Sequence, residues 1–336
     1  MINSNFQFIK GDSIHSFLQT MIPQAVEIIK ETYLEHDALK TVNPKSYFLR
    51  FPDKPSARII ALPAALNFGK KISGIKWIAS YPENVSHGFQ RASAVIILND
   101  YETGYPVACL EGSVISAIRT ACSAVLAAEH LNSKSKNIGV LGFVGNGLIS
   151  KHIIACFLKN GWHIEKIKLF DLDKSSTDKL SQFIAGEYNG DIEFSNSYES
   201  LISSSDLVVC ATTAASPYIT DQNLLKKNPI VLNVSLRDIG PNILLNANNI
   251  VDDIEHVLAE KTSVELAYQQ QNNKDFINGT IAELMLSKAE IDKNKPSIFS
   301  PMGMGILDLA LANFIIQNIP VHNTTYVENF FGDISR

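Results

Sequence analysis

The spacing of hydrophobic and polar residues changes character near the middle of the chain. Before residue 112, short runs rich in β-branched and aromatic residues are separated by Pro, Gly and Asn, which is typical of strands joined by turns. These runs are SYFLRF, ARIIALP, ISGIKWIAS, SAVIILND and PVACLEG. Because the loop NDYETGYP joins the last two as a hairpin, the pattern predicts a largely antiparallel or mixed sheet. A helix is predicted ahead of it over PQAVEIIKETYLEHDAL.

After Asn137, strand-like and helix-like segments alternate, beginning with the strand IGVLGFV and the helix LISKHIIACFLKN. Such alternation predicts an α/β, Rossmann-type doubly wound parallel sheet. A helix from about Ser113 to Leu131 and the polar stretch NSKSKN separate the two patterns, and the apolar C-terminal segment PMGMGILDLALANFIIQ is expected to return to the first domain. We therefore predict a mixed/antiparallel α+β domain over 1–131 plus 304–336, and a Rossmann domain over 132–303.

Composition narrows the classes of function. A chain of 336 residues usually needs more than one core, which agrees with two domains. The net charge of -5 argues against a nucleic-acid partner, since phosphate binding needs a basic surface. The histidines form no HxH or HExxH pair and the cysteines have no metal-type spacing, so we expect no metal and reduced thiols in the cytoplasm. The four cysteines are Cys109, Cys122, Cys156 and Cys210.

Neither a membrane span nor a signal peptide is expected. No apolar run reaches the roughly 18 residues that a span requires. The N-terminal segment MINSNFQFIKGD has no basic start followed by an apolar core.

The glycine-rich stretch GVLGFVGNG contains two overlapping spacings. Only Gly145-Asn146-Gly147-Leu148-Ile149-Ser150 fits a dinucleotide-binding turn, with a strand before it and a helix after it. Gly145 would allow the tight turn, Gly147 would let a pyrophosphate approach the backbone, and Ser150 is small enough for the helix to pack on the strand. The phosphates would meet the positive end of the helix that begins near Leu148. Gly139 and Gly142 are expected to have packing roles inside the strand.

Asp171 ends the strand KIKLFD, 24 residues after Gly147, where a carboxylate accepts hydrogen bonds from the adenosine ribose. A negative charge there would repel a 2′-phosphate, so the sequence favours NAD over NADP. Asp173 competes for this role, and Asp171 could instead cap the next helix.

Three basic residues, Lys76, Arg91 and Arg119, lie in apolar surroundings. A buried cation needs a counter-charge, so each implies an anion nearby. One interpretation pairs them with internal carboxylates such as Glu111 or Asp308. The other is a pocket that grips substrate carboxylates.

One acid lies where ligands bind in doubly wound sheets. Asp238 follows the strand PIVLNVS, at the carboxyl edge of the sheet. It could act as a general acid/base with a raised pKa, or simply form the turn before Gly240-Pro241.

The segments RIIALP, SGIKWIAS, ASAVIILND, GYPVACLEGSVISAIRTACSAVLAAEHL and SPMGMGILDLA resemble the ornithine cyclodeaminase/mu-crystallin family over nearly the whole chain. Within the family, the motifs are most similar to NAD-dependent dehydrogenases that cleave a secondary amine made from glutamate and 2,3-diaminopropionate for siderophore synthesis. The resemblance implies that Lys76, Arg119 and Arg50 bind substrate carboxylates and that Asp238 is the acid/base. We expect Arg91 to join this substrate group, and Lys76 to act in catalysis by keeping the amine unprotonated.

The resemblance also implies a cofactor site and an assembly. Gly145, Asn146, Gly147 and Asp171 match the NAD site, and we include the adjoining Leu148 and Ile149. Thr212 and Thr213 resemble the loop beside the nicotinamide ribose, and Met302-Gly303-Met304 the segment that closes over the nicotinamide. The first domain is expected to pair across a two-fold axis as a homodimer. The alternatives are an ornithine or lysine cyclodeaminase, and a nicotinamide-dependent binding protein without turnover.

Overall fold

In the computed structural model, which describes residues 6–332, the chain forms two compact units. One comprises the residues up to Arg119 together with those from Met304 onward, and the other is Thr120–Gly303. Residues 1–5 and 333–336 lie outside the described residues. They are the two ends of the predicted first domain, and residues 1–5 begin the N-terminal segment for which no signal peptide is expected.

The first domain boundary was predicted too late in the chain. It was placed between residues 131 and 132, whereas the units divide between Arg119 and Thr120, within a helix. The reason is that the later turns of this helix belong to the second unit, where Cys122 Sγ lies 4.0 Å from Cys156 Sγ.

Within residues 6–332 the secondary structure comprises sixteen strands and eleven α-helices. The strands are β1 (Phe6–Ile9), β2 (Thr41–Val42), β3 (Tyr47–Phe51), β4 (Lys54–Leu66), β5 (Ile72–Ser80), β6 (Ala92–Asp100), β7 (Pro106–Glu111), β8 (Asn137–Val144), β9 (His163–Phe170), β10 (Asp191–Phe194), β11 (Leu207–Cys210), β12 (Ile230–Asn233), β13 (Asn248–Val251), β14 (Gly279–Thr280), β15 (Ser297–Ser300) and β16 (Thr324–Val327). The helices are α1 (Gly11–Gln19), α2 (Ile22–Asp37), α3 (Gly112–Leu131), α4 (Leu148–Lys159), α5 (Lys174–Ala185), α6 (Tyr198–Ser204), α7 (Pro241–Leu244), α8 (Ile254–Val257), α9 (Ser263–Gln271), α10 (Ile281–Met285) and α11 (Gly305–Asn318).

The first unit is built on a mixed sheet, which confirms that prediction. Its strand order is β16-β1-β7-β6-β5-β4-β2, with β3 also paired to β4. The pairings are antiparallel except β1 with β7. Helix α11 packs against β4, β5, β6 and α2, so the C-terminal helix returns to this unit as the sequence predicts. Its buried apolar side chains form part of the core of the unit.

The second unit contains a parallel sheet of order β10-β9-β8-β11-β12-β15-β13-β14. The order reverses at β8, which has β9 on one side and β11 on the other, and α4 follows it directly. Ligands bind at such a reversal, outside the carboxyl ends of the strands. The predicted Rossmann-type doubly wound sheet is therefore confirmed, and its reversal lies at the glycine-rich turn.

Helix α3 corrects the expectation that no segment has the length and apolarity of a membrane span. Its 20 residues meet both criteria, with a mean hydropathy of 1.3, and it alone does so among the residues described. Most of its length is buried inside the protein, as the core helix of a soluble protein also is, so the helix is weak evidence for a membrane.

Candidate functional site

The turn after β8 requires glycine at Gly145. Its φ of +87° lies in the left-handed region, and a Cβ there would come within 2.6 Å of the Ala211 carbonyl oxygen. The Gly145 amide donates to the Phe170 carbonyl at 2.9 Å, which ties the turn to the end of β9. Ser150 is fully buried and its hydroxyl donates to the Gly145 carbonyl, so a small residue here lets α4 pack on the turn.

Gly147 is not required by the backbone conformation, because other residues can adopt the same one. Its φ is -80°, and a Cβ would meet no atom within 4 Å. Gly147 immediately precedes α4. The amide N–H groups of Leu148 and Ile149 lie in the first turn of this helix, where no carbonyl of the helix accepts a hydrogen bond from them. An open approach to such a helix end fits a pyrophosphate.

The two earlier glycines lie inside β8 and contact protein atoms. A Cβ on Gly139 would come within 2.7 Å of Asp206 Oδ2, and one on Gly142 within 2.5 Å of Leu201 Cδ2 and 2.6 Å of Ser205 Oγ. Both glycines therefore make room for the neighbouring α6 region and not for a ligand.

Asp171 lies at the turn, and Asp173 has another task. Asp171 Oδ2 accepts the Asn146 amide at 2.6 Å, so the carboxylate at the end of β9 is held beside the glycine turn. Asp173 caps α5 by accepting the amides of Ser175 and Ser176, and hydrogen bonds from the hydroxyls of the same two serines are the main reason that its pKa lies below the usual value. Of the two candidates, Asp171 is therefore the carboxylate held at the glycine turn, whereas Asp173 is engaged as a helix cap.

Asn146 faces away from open solvent. It is buried, and its Nδ2 donates to Thr177 Oγ1 at 2.9 Å. Its side chain thus joins the turn to α5, and only its backbone belongs to the surface of the turn.

Asp238 is fully buried after β12 and is held by two side chains. Thr212 Oγ1 donates to Asp238 Oδ1 at 2.7 Å, and the Tyr218 hydroxyl lies 3.4 Å from Oδ2. Burial raises the pKa of this carboxyl above its usual value, and it also raises the pKa of Tyr218. Asp238 is therefore more than a turn former, because it is a buried acid whose affinity for a proton is increased. Thr213, next to Thr212, is exposed.

The backbone just before Asp238 is strained. Leu236 has a φ of +74°, which is costly for a branched residue. Its carbonyl accepts the Ser263 amide at 2.8 Å, and Arg237 Nη2 donates to the Glu260 carbonyl at 2.5 Å. Arg237 therefore holds the loop that carries Asp238 through this hydrogen bond.

A second buried acid, Asp252, fixes the segment after β15. Its two oxygens accept the amides of Met302, at 3.0 Å, and Gly303, at 2.5 Å. Burial raises its pKa. Met304 was predicted to close over the nicotinamide together with Met302 and Gly303. It immediately precedes α11 and is fully buried, so its side chain has no exposed surface for a ligand.

In the first unit, two of the isolated cations share one carboxylate. Lys76 Nζ lies 2.5 Å from Asp308 Oδ2, and Arg119 Nε lies 3.3 Å from Oδ1. Ser116 Oγ accepts from Lys76 Nζ at 3.3 Å. Asp308 is one of the two partners that the sequence suggested, whereas Glu111 instead accepts the amides of Ser113 and Val114 at the start of α3.

Lys76 is only 2% exposed, and this burial lowers its pKa to about 8. Asp308 opposes the shift and Arg119 adds to it. These three groups together carry one more positive than negative charge near pH 7. Such a cluster attracts an anion, so the internal pairing with Asp308 is compatible with carboxylate binding.

Arg91 and Arg50 are exposed, which corrects the premise that Arg91 is buried in an apolar environment. The apolar segment that follows Arg91 forms β6, and Arg91 lies just before the first residue of this strand. Arg91 Nη1 donates to Ser80 Oγ at 3.1 Å, and the Arg50 guanidinium lies 5.2 Å from the centre of the Phe48 ring.

Sequence reasoning missed Tyr218 and Asp252. Tyr218 follows a loop without any motif, and the two acids in Asp252-Asp253 cannot be told apart in the sequence. Asp308 had a signal, since it is the one charged residue of α11. Among residues 6–332, no three His, Cys, Asp or Glu side chains group in a way that could hold a metal ion.

Comparison with known proteins agrees with this arrangement. N-((2S)-2-amino-2-carboxyethyl)-L-glutamate dehydrogenase of Staphylococcus aureus is 30% identical over 318 residues, which is 91% of this chain and 93% of that protein. The solved Δ1-pyrroline-2-carboxylate reductase of Thermococcus litoralis, in complex with NADH and L-proline, has a TM-score of 0.85 at 21% identity and covers 93% of this chain and 97% of its own. An archaeal alanine dehydrogenase dimer with bound NAD has a TM-score of 0.84 at 21% identity, and the match covers 97% of this chain and 100% of that one.

The family model adds the decisive match. It covers residues 16–323, which include both the glycine turn and the Lys76–Asp308–Arg119 cluster. The chain belongs to the ornithine cyclodeaminase/mu-crystallin family.

Proposed function

We propose that this protein is an NAD-dependent oxidoreductase that cleaves N-(2-amino-2-carboxyethyl)-L-glutamate to 2-oxoglutarate and L-2,3-diaminopropionate. NAD is the cofactor, and the family comprises NAD-dependent oxidoreductases of amino-acid substrates. The observation that carries the finer proposal is the buried Lys76–Asp308–Arg119 cluster, whose positive charge suits a carboxylate-rich substrate. The 30% identity to the dehydrogenase of that substrate, over 91% of the chain, supports it.

The second unit would hold the cofactor. Gly145 and Gly147 form the turn for the pyrophosphate, and Asp171 would accept the ribose hydroxyls. When bound, NAD would accept the hydride of the glutamate Cα, and water would then hydrolyse the resulting substrate imine.

Asp238 would move the protons of this reaction. In its ionised form, it would take the proton that the secondary amine loses as the imine forms, and in its protonated form it would return one to the departing amine. Its burial and raised pKa allow it to hold a proton between these steps. Thr212 fixes one carboxylate oxygen by a hydrogen bond of 2.7 Å.

Lys76 and Arg119 would bind a substrate carboxylate. A positive charge close to the amine would also disfavour its protonation, leaving the lone pair that supports loss of hydride. Arg50 and Arg91 are proposed to bind further carboxylates of the same molecule.

The test is a product assay. Protein, NAD and synthetic substrate should produce NADH, followed at 340 nm, and 2-oxoglutarate in equal amounts. Ornithine serves as the competing substrate. Ammonia and proline without net NADH would instead indicate a cyclodeaminase, and tight binding without any product would indicate a binding protein.

We also propose a homodimer formed through the first unit's sheet. Tyr47, Ala61, Trp77 and Val95 are register partners across β3 to β6 and so share a face, on which Tyr47, Trp77 and Val95 are exposed. A related alanine dehydrogenase is a dimer. Light scattering after size exclusion should give twice the chain mass, and a monomer would refute this assembly.

A cytoplasmic location and a role in siderophore precursor synthesis complete the proposal. All four cysteines are free, as expected in a reducing compartment. The role in synthesis follows from the proposed product.

A further inference from the structure

The segment that follows β15 begins between two buried acids of the second unit. Asp238 follows β12 and Asp252 follows β13, and β15 lies between these two parallel strands in the sheet. Asn233 Nδ2 donates to Ser300 Oγ at 3.1 Å, which joins the carboxyl ends of β12 and β15. The segment Met302–Gly303 therefore starts at the edge of the sheet where ligands bind, next to the loop that carries Asp238.

The strand order indicates which end of NAD would reach this segment. Under the proposed function, Asp171 at the end of β9 binds the adenosine ribose, and the glycine turn after β8 binds the pyrophosphate. A dinucleotide binds across the point where the strand order reverses, so its nicotinamide half would lie beyond β8, over β11, β12 and β15. Met302–Gly303 and Asp238 would then both be at the nicotinamide end.

Asp252 holds this segment through both of its carboxylate oxygens. Oδ1 accepts the Met302 amide at 3.0 Å and Oδ2 accepts the Gly303 amide at 2.5 Å. Gly303 has a φ of +91°, in the left-handed region, so the segment turns sharply at this point. An ionised carboxylate has two acceptor oxygens, whereas an amide side chain has only one. One side chain thus fixes two consecutive amides at the same time.

The charge of Asp252 is stabilised by backbone amides. Besides the two amides of the segment, Oδ1 accepts the Asp253 amide at 2.9 Å. Burial raises the pKa of Asp252, the three amides lower it, and the nearby Asp253 carboxylate raises it; within residues 6–332 no cation is among the groups that shift it. A buried carboxylate without a cation is costly, so its hydrogen bonds to this one segment have to be maintained for it to remain ionised.

The Met302 side chain has surface left for a ligand. It is half-buried and packs against the apolar cluster that includes Val144 and Cys210, the last residues of β8 and β11. Met304, two residues later, is fully buried. Met302 is therefore held by its amide from one side and by apolar packing from the other, with part of its side chain exposed.

We infer that Asp252 is a positioning residue that holds Met302 and Gly303 against the nicotinamide end of the bound cofactor. Asp252 acts through these two residues and does not itself contact the cofactor. The inference rests on the cofactor site of the proposed function but not on its substrate, so binding measurements test it without turnover.

Two ligands separate positioning from a general loss of structure. NADH has the nicotinamide ring, and ADP-ribose has the adenosine, the pyrophosphate and the second ribose without that ring. The dissociation constant of NADH and the emission of bound NADH come from a fluorescence titration, and the dissociation constant of ADP-ribose comes from calorimetry. The variants are Asp252→Asn, Asp252→Glu and the control Asp253→Asn.

Asp253 is a matched control because it is the adjacent acid and caps α8, where its Oδ1 accepts the His256 amide at 2.8 Å. Asn caps helices about as well as Asp, so Asp253→Asn removes a charge without removing an essential acceptor. Asp252→Asn instead places an amide N–H₂ group against one of the two backbone donors. Asp252→Glu keeps both acceptor oxygens but moves them by the length of one methylene group.

Asp252→Asn should raise the dissociation constant of NADH by about 10-fold, as expected for the loss of a hydrogen bond to a charged group. The emission of bound NADH should shift toward that of free NADH, because this emission arises from the dihydronicotinamide ring. The dissociation constant of ADP-ribose should change less than about 2-fold, since the glycine turn and Asp171 are intact. Asp252→Glu should weaken NADH less than Asp252→Asn does, and Asp253→Asn should match the wild type with both ligands.

Equal weakening of NADH and ADP-ribose by Asp252→Asn would overturn the inference, because the role would then be structural only. Unchanged NADH binding, or an equal loss of it in Asp253→Asn, would overturn it as well. A wild type that binds neither ligand would overturn the proposed cofactor site. If Asp252→Asn does not fold, Asp252→Glu decides by the same comparison: weakening of NADH alone supports positioning, and equal weakening or none refutes it.

Discussion

Asp308 is the residue whose removal tests the buried charge cluster most directly. Asp308→Asn keeps the shape of the side chain but removes the carboxylate that Lys76 and Arg119 share. The variant leaves two cations in a region where Asp308 itself is fully buried and Lys76 is 2% exposed. We expect a large loss of stability, since a buried charge that loses its partner is costly.

The pKa of Lys76 sets the size of this loss. Its fall from 10.5 to about 8 corresponds to roughly 3 kcal/mol of disfavoured charge even with Asp308 in place. Removing one partner of a buried pair costs about 3–5 kcal/mol. Without Asp308 the pKa of Lys76 falls further, so at higher pH the lysine releases its proton and the penalty shrinks. The loss should therefore be about 3–5 kcal/mol near pH 6 and clearly smaller at pH 9.

The assay is urea unfolding followed by the fluorescence of Trp77, which lies beside Lys76, in a Trp162→Phe background so that only the first unit is observed. Glu27→Gln is the control, because Glu27 lies in the same unit, is 68% exposed, lies 2.9 Å from Lys30 and should cost less than about 1 kcal/mol. The double variant Lys76→Met/Asp308→Asn should recover part of the loss. A loss below about 1 kcal/mol, or one that does not change between pH 6 and 9, would refute the buried cluster.

Three further predictions concern the second unit and the reaction. Gly147→Val should abolish NAD binding in a fluorescence titration with little change in stability, because a Cβ at this position meets only open space. Gly142→Ala should keep NAD binding but lose about 1–3 kcal/mol of stability, because its Cβ would contact Leu201 and Ser205. Equal loss of NAD binding in both variants would show that the register of the turn is wrong. Asp238→Asn should lower kcat by about 10²-fold or more without loss of NAD affinity, and an unchanged kcat would exclude it as the acid/base. Tyr218→Phe should shift the acidic limb of the kcat/KM profile, since its hydroxyl stabilises the ionised Asp238 carboxylate; removing it should move that limb to higher pH, and an unmoved limb would deny the contact.

Periodicity predicted most of the fold because both sheets follow simple patterns. The run ISGIKWIAS became β5 with the same bounds, since alternation of this kind fits one register only. The glycine turn was also predictable, because Gly145 adopts a φ that other residues avoid. The domain boundary was not predictable, since α3 is mostly apolar both before and after Arg119 and its sequence does not show at which residue the second unit begins.

The candidate site was predictable wherever a charge stood alone in an apolar segment. Lys76 and Asp308 are isolated charges in β5 and α11, and the structure joins them. The same reasoning wrongly predicted that Arg91 is buried, because the apolar run lies only on its C-terminal side, in β6. Tyr218 and Asp252 depend on loop conformation, which sequence periodicity does not describe.

Burial acts in opposite directions on the two residues most directly assigned to the reaction. It lowers the pKa of Lys76 to about 8 and raises the pKa of Asp238, because in each case the charged form is disfavoured. In the proposed mechanism, carboxylate binding needs Lys76 protonated, and this protonation is lost as pH rises through about 8. Proton acceptance needs Asp238 ionised, which fails as pH falls through its raised pKa. Under the proposed mechanism both active forms coexist between these limits, so the burial that costs stability would also confine the reaction to a window on the acidic side of pH 8.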